Sequence, residues 1–251
     1  MPGRPDSDPA RYWDAVAAEA DGLPPGWRRQ ARAEHLALIR RWVGEPRGRW
    51  LKTDLFEERS ADRALLPFLA TASWVGTDVS PAVAAQALAR VDGRAAVADI
   101  RRTPFPAGTF DGILSTSTLD HFDDPDDVGR SLVELHRILR PGGRLVLTLD
   151  NPRNPLVRLR NALPDRVARR TGLVPFAVGH TLAEGPGVEA LVAARFSVEA
   201  TAHVLHAPHV IGTRLARFGW YERRVLPRFE ALARTRVAPF SGHFVAFLAR
   251  A

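Results

Sequence analysis

The stretch SWVGTDVSPAVAAQALAR, residues 73–90, predicts one strand followed by one helix. Its first part is short and mostly apolar and ends at Asp78, as expected for a buried strand bounded by a polar residue. Ser80 then suits the N-cap of a helix, and Pro81 suits the first helical position. The alanine-rich residues that follow complete a strand-and-helix unit.

The same alternation continues on both sides of this unit. Short apolar segments predict strands from Trp50 to Thr53 and at RAAVADI, FDGILST and RLVLTLD, with helices through ADRALLPFLA and DPDDVGRSLVELHRILRPGG. The second of these helices begins among acids, carries Arg140 in its last turn and ends at Pro141, Gly142 and Gly143. Such a pattern predicts an α/β fold, with a mostly parallel sheet covered by helices on both faces.

Two flanking regions add to the predicted sheet domain, which spans residues 46–251. Residues 1–45 have aromatic and aliphatic residues at helical spacing, interrupted at GLPPGW, and predict an N-terminal helical cap. The proline-rich residues 152–180 are expected to form a lid. A helix at GVEALVAARF and a strand at SVEATAHVLH should follow, and a helical insertion at 209–235 should precede the closing strand GHFVAFLAR.

Composition and missing motifs exclude several kinds of site. The 251 residues include no cysteine, which excludes disulfides, thiolate metal sites and cysteine nucleophiles. No P-loop, G-x-S-x-G or H-E-x-x-H motif occurs, and the histidines of HVLHAPH do not have the spacing of a metal site, so we expect no metal. Because no apolar run is long enough for a signal peptide or a bilayer span, we expect a cytoplasmic protein without a membrane span.

The charge is unevenly distributed along the chain. Residues 1–150 carry 20 basic and 22 acidic side chains, a net −2, and residues 151–251 carry 15 and 6, a net +9, which together give +7. A basic C-terminal part could favour an anionic substrate, a membrane surface or RNA. However, 34 of the 35 basic residues are arginine, and no basic-aromatic nucleic-acid motif accompanies them. General arginine enrichment is the favoured explanation, and no nucleic acid partner is expected.

Polar residues stand at the ends of the predicted strands, where parallel sheets bind their ligands. A carboxylate at the end of the second strand, Asp78, can accept both hydroxyls of a ribose, although it could instead stabilise the following helix N-terminus. Asp99 could accept an adenine amino group while Ile100 packs on the ring, or it could be a solvated loop acid. We favour the ribose function for Asp78 and leave both readings of Asp99 open.

Three segments between residue 49 and about 151 resemble class I S-adenosylmethionine-dependent methyltransferases of the small-molecule, type 11 sort. They are GTDVSPAVAAQA, ADIRRTPFPAGTFDGILSTSTLDHFDDPDD and ELHRILRPGGRLVLTLDNP. The resemblance implies a Rossmann-like sheet of seven strands with the last strand antiparallel, S-adenosylmethionine as cofactor, and a small organic acceptor methylated at oxygen or nitrogen. The donor-binding residues that it implies are Asp78, Val79, Asp99, Ile100, Ser115 and Thr116.

The family's glycine-rich loop should fall at residues 54–58, but the sequence there is DLFEE. Side chains at these positions block the close backbone approach that glycine permits. The three acids would repel a diphosphate, which argues against NAD, FAD and nucleoside triphosphates, but would attract the sulfonium and ammonium of S-adenosylmethionine. Asp54 is therefore expected beside the donor. Lys52 could pair with the donor's carboxylate or neutralise Asp54 or Asp78, and we favour the pairing within the protein.

His121, in TLDHFDDP, is the candidate catalytic residue. An oxygen acceptor benefits from a general base, and in the family that this sequence resembles the segment after strand four carries a histidine near the acceptor. His121 could instead be a loop histidine with a carboxylate partner. Two other functions stay open: a non-catalytic or repurposed methyltransferase-like protein, and an RNA methyltransferase that uses the basic C-terminal part.

Overall fold

The computed structural model describes residues 8–19, 25–61, 63–91, 93–163, 167, 179–208, 215 and 218–251. About half of the predicted lid at 152–180 and the first part of the predicted insertion at 209–235 lie outside these residues. The boundaries of the cap, lid and insertion therefore stay predictions. Among the described residues, no helix combines the length and the apolarity that crossing a bilayer requires.

The described residues form one sheet of seven strands. The strands are β1 (Arg49–Thr53), β2 (Ser73–Asp78), β3 (Arg94–Val97), β4 (Phe110–Thr116), β5 (Leu139–Asp150), β6 (Ser197–Val204) and β7 (Phe244–Arg250). Their order is β3-β2-β1-β4-β5-β7-β6. The pairs from β3 to β5 are parallel, and β7 is antiparallel to both β5 and β6. The predicted Rossmann-like sheet with an antiparallel last strand is confirmed.

Helices flank the sheet at positions that the capping residues help to define. The longer ones are α1 (Pro9–Glu19), α2 (Pro25–Val43), α3 (Pro81–Leu88), α4 (Pro125–Ile138), α5 (Pro155–Ala162) and α6 (Glu184–Ala193). The predicted N-cap of α3 is confirmed, because the Ser80 hydroxyl accepts the N–H of Val83 at 3.0 Å. After residue 218 the chain forms a π-turn (Tyr221–Val225), a short helix α7 (Leu226–Glu230), a 3-10 turn (Ala231–Arg234) and α8 (Ala238–Ser241).

Two local predictions are wrong. ADRALLPFLA does not form a helix but ends in a 3-10 turn, Leu66–Leu69, because the Glu58 carboxylate accepts the N–H groups of Leu65 and Leu66 and Pro67 has no N–H. Arg140 does not lie in the last turn of α4, which ends at Ile138 with His136 and Arg137 there instead. Leu139 already pairs with Phe110 as part of β5.

The core lies on both faces of the sheet, because successive strand residues point to opposite sides. In β1, Trp50 packs with Ile39 of α2 on one face, whereas Leu51 packs with Leu135 of α4 on the other. All of these side chains are buried. Because β1 pairs in parallel with both β2 and β4, the carboxyl ends of these three strands lie at one rim of the sheet.

Candidate functional site

A cleft lies at the carboxyl ends of β1 to β4, with α1 on one side. It encloses about 730 Å³ of empty space, counting its open mouth. Its walls come from five separate parts of the chain, which is why no single sequence segment describes it. The lining includes Pro9 and Trp13 of α1, Thr53, Asp54 and Phe56 at the end of β1, Thr77, Asp78 and Val79 at the end of β2, Asp99, Ile100 and Arg101 after β3, and Thr118, His121 and Phe122 after β4.

Asp78 is held at the end of β2 by two backbone donors. Its Oδ2 accepts the N–H of Leu55 and its Oδ1 accepts the N–H of Ser80, both at 2.8 Å. A carboxylate offers about four lone-pair directions, so one direction on each oxygen remains. Burial, followed by the negative charge of Asp54, raises the pKa of Asp78 to about 7 despite these hydrogen bonds. Asp78 lines the cleft at only 8% exposure.

The loop after β1 is stabilised by side chains at the positions where the sequence resemblance led us to expect glycines. Asp54 adopts a left-handed backbone with φ of 61°, a conformation that aspartate tolerates better than most residues, and its Oδ1 accepts the N–H of Phe56 at 2.7 Å. Leu55 fills the space above Gly76, where an added Cβ would approach Leu55 Cδ2 to 2.6 Å. The glycine that makes room here lies in β2 rather than in the loop.

Lys52 is directed into the protein. Its ammonium donates to the carbonyl oxygens of Thr53 and Asp54, both at 2.8 Å, and the residue is 1% exposed. Lys52 is not among the residues that line the cleft. These acceptors are backbone carbonyls, and no ion pair joins Lys52 to the carboxylate of Asp54 or Asp78 among the described residues, so the favoured pairing with either acid is not observed. A contact between Lys52 and the donor stays a prediction.

Asp99 and Ile100 line the cleft at the end of β3, as the sequence predicts for an adenine site. Ile100 presents a mostly buried apolar side chain, whereas the carboxylate of Asp99 is paired with the Arg101 guanidinium. Partial burial alone would raise the pKa of Asp99, but hydrogen bonds from the Arg101 side chain and backbone outweigh it and place the pKa below its ordinary value.

Ser115 and Thr116 lie inside β4 and are not among the cleft-lining residues. Their buried hydroxyls find no hydrogen-bond partner within the described part of the chain. Two residues further along, Thr118 reaches the cleft, and its hydroxyl lies 2.9 Å from the hydroxyl of Thr53. The donor-binding function of Ser115 and Thr116 stays a prediction.

His121 ends a short 3-10 turn, Leu119–His121, and lines the cleft. Its ring packs edge-on against Trp13, with ring centroids 4.9 Å apart, and its Nε2 lies 3.8 Å from Oδ1 of Asp120. Asp120 is fully buried, and its Oδ2 accepts the Ser117 hydroxyl at 3.0 Å and the Asp150 N–H at 2.9 Å. Burial raises the pKa of Asp120. The histidine and the acid before it therefore form a pair beside the cleft.

Sequence reasoning missed Trp13, Arg101, Asp120 and Phe122 as site residues. Trp13 comes from a distant helix, and its helical spacing indicates only that α1 is amphipathic. For Asp120 and Arg101 a local signal existed, since each stands within two residues of a predicted site residue, at His121 and Asp99. Among the described residues, no group of three or more histidine, aspartate or glutamate side chains could hold a metal ion.

Residues 61–147, about a third of the chain, match a family model described as a methyltransferase domain. This match confirms the resemblance read from the sequence. No curated protein matches the chain in sequence.

Solved structures share the fold over most of the chain. An S-adenosylmethionine-dependent methyltransferase from Mesorhizobium loti is 20% identical, with a TM-score of 0.58 over 86% of this chain and 96% of the other. A 1,6-didemethyltoxoflavin-N1-methyltransferase from Burkholderia thailandensis is 18% identical, with a TM-score of 0.55 over 98% and 85%. The [4+2]-cyclase SpnF is 18% identical, with a TM-score of 0.54 over 86% and 79%. At these identities the likeness shows a common fold.

Proposed function

We propose that this chain, which carries a class I S-adenosylmethionine-dependent methyltransferase domain, transfers the donor's methyl group to an oxygen or nitrogen atom of a small organic acceptor. In this proposal S-adenosylmethionine is the cofactor, and the protein is an enzyme of the methyltransferase class, which the match to a methyltransferase domain supports. The acceptor, the atom that is methylated and the residues that bind the donor are parts of the proposal.

The observation that carries this proposal is the hydrogen bonding of Asp78. Two backbone N–H groups orient its carboxylate in the wall of the cleft and leave one lone-pair direction on each oxygen. A ribose offers two neighbouring hydroxyl donors, which match those two directions. Val79 and Ile100 supply apolar contacts on the same wall. The residues present therefore fit the adenosine part of the donor.

The charges around the cleft fit the other end of the donor. Asp54 and Asp78 both line the cleft, whereas the ammonium of Lys52 is bonded to backbone carbonyls behind them. Arg101, the cation in the described lining, is paired with two carboxylates. A cleft with this balance suits a sulfonium and an ammonium and disfavours a diphosphate.

In this proposal, His121 and its neighbours assist the transfer of the methyl group. When bound, S-adenosylmethionine supplies an electrophilic methyl group on its sulfonium. His121 accepts the proton that an acceptor hydroxyl loses, and the buried Asp120 carboxylate stabilises the imidazolium that results. The rings of Trp13 and Phe122 exclude water and hold the acceptor in line with the methyl group.

The aromatic lining supports a small, flat acceptor. Trp13, Phe56 and Phe122 line the cleft together with His121, and Trp13 contacts the rings of both Phe56 and His121. Such surfaces hold planar rings by stacking. The structure from Burkholderia thailandensis contains 1,6-didemethyltoxoflavin together with S-adenosylhomocysteine, which supports a heteroaromatic acceptor for this chain as well.

Calorimetry and a labelled donor test the proposal together. S-adenosylhomocysteine should give saturable heat, and a donor labelled in its methyl group should mark a member of a panel of small aromatic alcohols and amines. If the marked acceptor is an alcohol, His121→Asn should lower turnover by about 10²- to 10⁴-fold and leave the affinity for S-adenosylhomocysteine unchanged. Absence of saturable heat would contradict the proposal.

A repurposed, non-methylating enzyme is the second candidate. It is favoured by the glycine-free loop at residues 54–58 and by the shared fold with a protein named as a cyclase. Tight binding of S-adenosylhomocysteine without methyl transfer to any acceptor of the panel would support this candidate over the first.

A further inference from the structure

Arg101 lies at the end of the cleft where an adenine ring is expected. It follows β3 two residues after Asp99, and both residues line the cleft together with Ile100. Its side chain is 30% exposed and that of Asp99 is 35% exposed, so both can meet a bound molecule.

The hydrogen bonds from Arg101 saturate the Asp99 carboxylate. Oδ1 accepts the backbone N–H of Arg101 at 2.8 Å and its Nε at 3.0 Å. Oδ2 accepts Nε at 3.0 Å and Nη2 at 2.5 Å. Three donor hydrogens make these contacts, because the single Nε hydrogen is shared by both oxygens, and each oxygen is thus approached from two directions. An adenine amino group could bond to Asp99 only by displacing part of the guanidinium.

The guanidinium has a second carboxylate on which it can remain. Its Nη1 donates to Oδ2 of Asp127 at 2.5 Å, at the start of α4. Asp127 is buried, and its other oxygen accepts Arg130 at 2.6 Å. The guanidinium also lies 5.3 Å from the ring centre of Phe122. If the Arg101 guanidinium left Asp99, it would therefore keep Asp127 as a partner.

We propose that Arg101 competes with the adenine amino group for Asp99, and that a donor gains the Asp99 contact only when the guanidinium withdraws to Asp127. This inference rests on the proposed function and concerns the specificity of the same site. Charge-assisted, bidentate hydrogen bonds are among the stronger contacts in proteins, so their loss offsets most of what the amino group gains. In the wild type the 6-amino group of adenine should then contribute little to affinity.

The experiment compares two ligands by calorimetry. One is S-adenosylhomocysteine, and the other is its deamino analogue, in which hydrogen replaces the 6-amino group of the purine. The wild type should prefer S-adenosylhomocysteine by less than about threefold. Arg101→Gln removes the competing guanidinium, so the preference should rise to roughly tenfold or more, as expected for a full hydrogen bond to a charged group.

Two further variants control this comparison. Arg102→Gln makes the same change of charge at the neighbouring, exposed residue and should keep the wild-type preference. Arg101→Lys keeps the charge but cannot form the bidentate pair, so it should give an intermediate preference even if Arg101→Gln folds poorly.

The outcomes separate the two proposals. A preference in Arg101→Gln and Arg101→Lys equal to that of the wild type would overturn the competition, although the donor still binds. A drop in affinity for both ligands by the same factor would also overturn it, because Arg101 would then support the donor rather than compete with it. No saturable heat with S-adenosylhomocysteine in any of these proteins would instead overturn the proposed function.

Discussion

Asp78 and Asp99 line the same cleft, at the ends of neighbouring strands, but their hydrogen bonding differs. The Asp78 carboxylate accepts two backbone N–H groups and keeps one lone-pair direction free on each oxygen. Asp99 carries the guanidinium and the backbone N–H of Arg101, which together occupy the whole carboxylate. The pKa values move in opposite directions, to about 7 for Asp78 and below the ordinary value for Asp99.

This difference shows that the position of an acid at a strand end does not by itself determine what it can bind. The two neutral N–H donors on Asp78 leave its negative charge uncompensated, so burial disfavours its ionisation. A hydrogen-bond donor on a ligand would therefore stabilise the ionised carboxylate. At Asp99 the cation from the same loop already compensates the charge. The free capacity of each carboxylate follows from its neighbours, and the following predictions test that contrast.

The largest effect is expected for Asp78→Asn. This change removes the negative charge and replaces one of the two acceptor oxygens by an NH2 group. Hydrogen bonds to a charged acceptor are worth roughly 1.5 kcal/mol or more each, so the affinity for S-adenosylhomocysteine should fall about a hundredfold. Calorimetry measures this change. Glu199→Gln, which alters an acid paired with Arg250 on β7, is the matched control and should bind like the wild type. Equal affinity of Asp78→Asn and the wild type would exclude Asp78 from the site.

Gly76→Ala tests the link between Asp78 and the loop after β1. The added methyl group would press on the buried Leu55, whose N–H holds Asp78, and such overpacking typically costs about 1–3 kcal/mol of the free energy of unfolding. Denaturant unfolding measures the loss. Gly129→Ala, in α4 with open space around it, is the control and should be neutral or slightly stabilising. Equal free energies of unfolding for the two variants would show that the Leu55 side chain moves aside without loss of stability.

A smaller effect is expected from pH, with opposite signs for binding and folding. Donor binding to ionised Asp78 should strengthen by up to about tenfold between pH 6 and pH 8, since its pKa is about 7. The folded pKa values of Asp78 and Glu34 are both about 7, raised by burial and then by a neighbouring acid, Asp54 and Glu230 respectively. The stability that these two carboxyl groups contribute to the folded state is complete below their unfolded pKa of about 4. It is lost as the pH rises through their folded pKa of about 7.

Two measurements at pH 6 and pH 8 check this prediction. Calorimetry with S-adenosylhomocysteine should show tighter binding at the higher pH, and thermal unfolding of the free protein should show a lower Tm there. An affinity for S-adenosylhomocysteine that does not change with pH would mean that the ligand does not bind to the ionised carboxylate of Asp78.

The smallest effect is expected for Asp99→Asn. Because Arg101 occupies the Asp99 carboxylate, the affinity for S-adenosylhomocysteine should change by less than about threefold. The same calorimetric titration used for Asp78→Asn gives the comparison directly. A loss as large as that of Asp78→Asn would mean that the two acids act alike, and the contrast between them would fail.

The sequence was sufficient for the sheet and for the acids at its rim. Strand β2, the Ser80 cap and the antiparallel last strand follow from local patterns, and Asp54, Asp78, Asp99 and Ile100 all line the cleft. What the sequence could not predict depends on contacts between distant residues. The pairing of Leu65 with Glu58 replaces a predicted helix, the space above Gly76 lets the loop do without glycine, and Trp13 reaches His121 from another helix.

A crystal structure of the protein with S-adenosylhomocysteine tests the central claim most directly. The account predicts that the two ribose hydroxyls donate to the two oxygens of Asp78, with the homocysteine part directed towards Asp54 and the ring of Phe56 outside the adenosine volume. A bound ligand whose ribose lies away from Asp78, or a cleft closed by Phe56 with the ligand elsewhere, would contradict it.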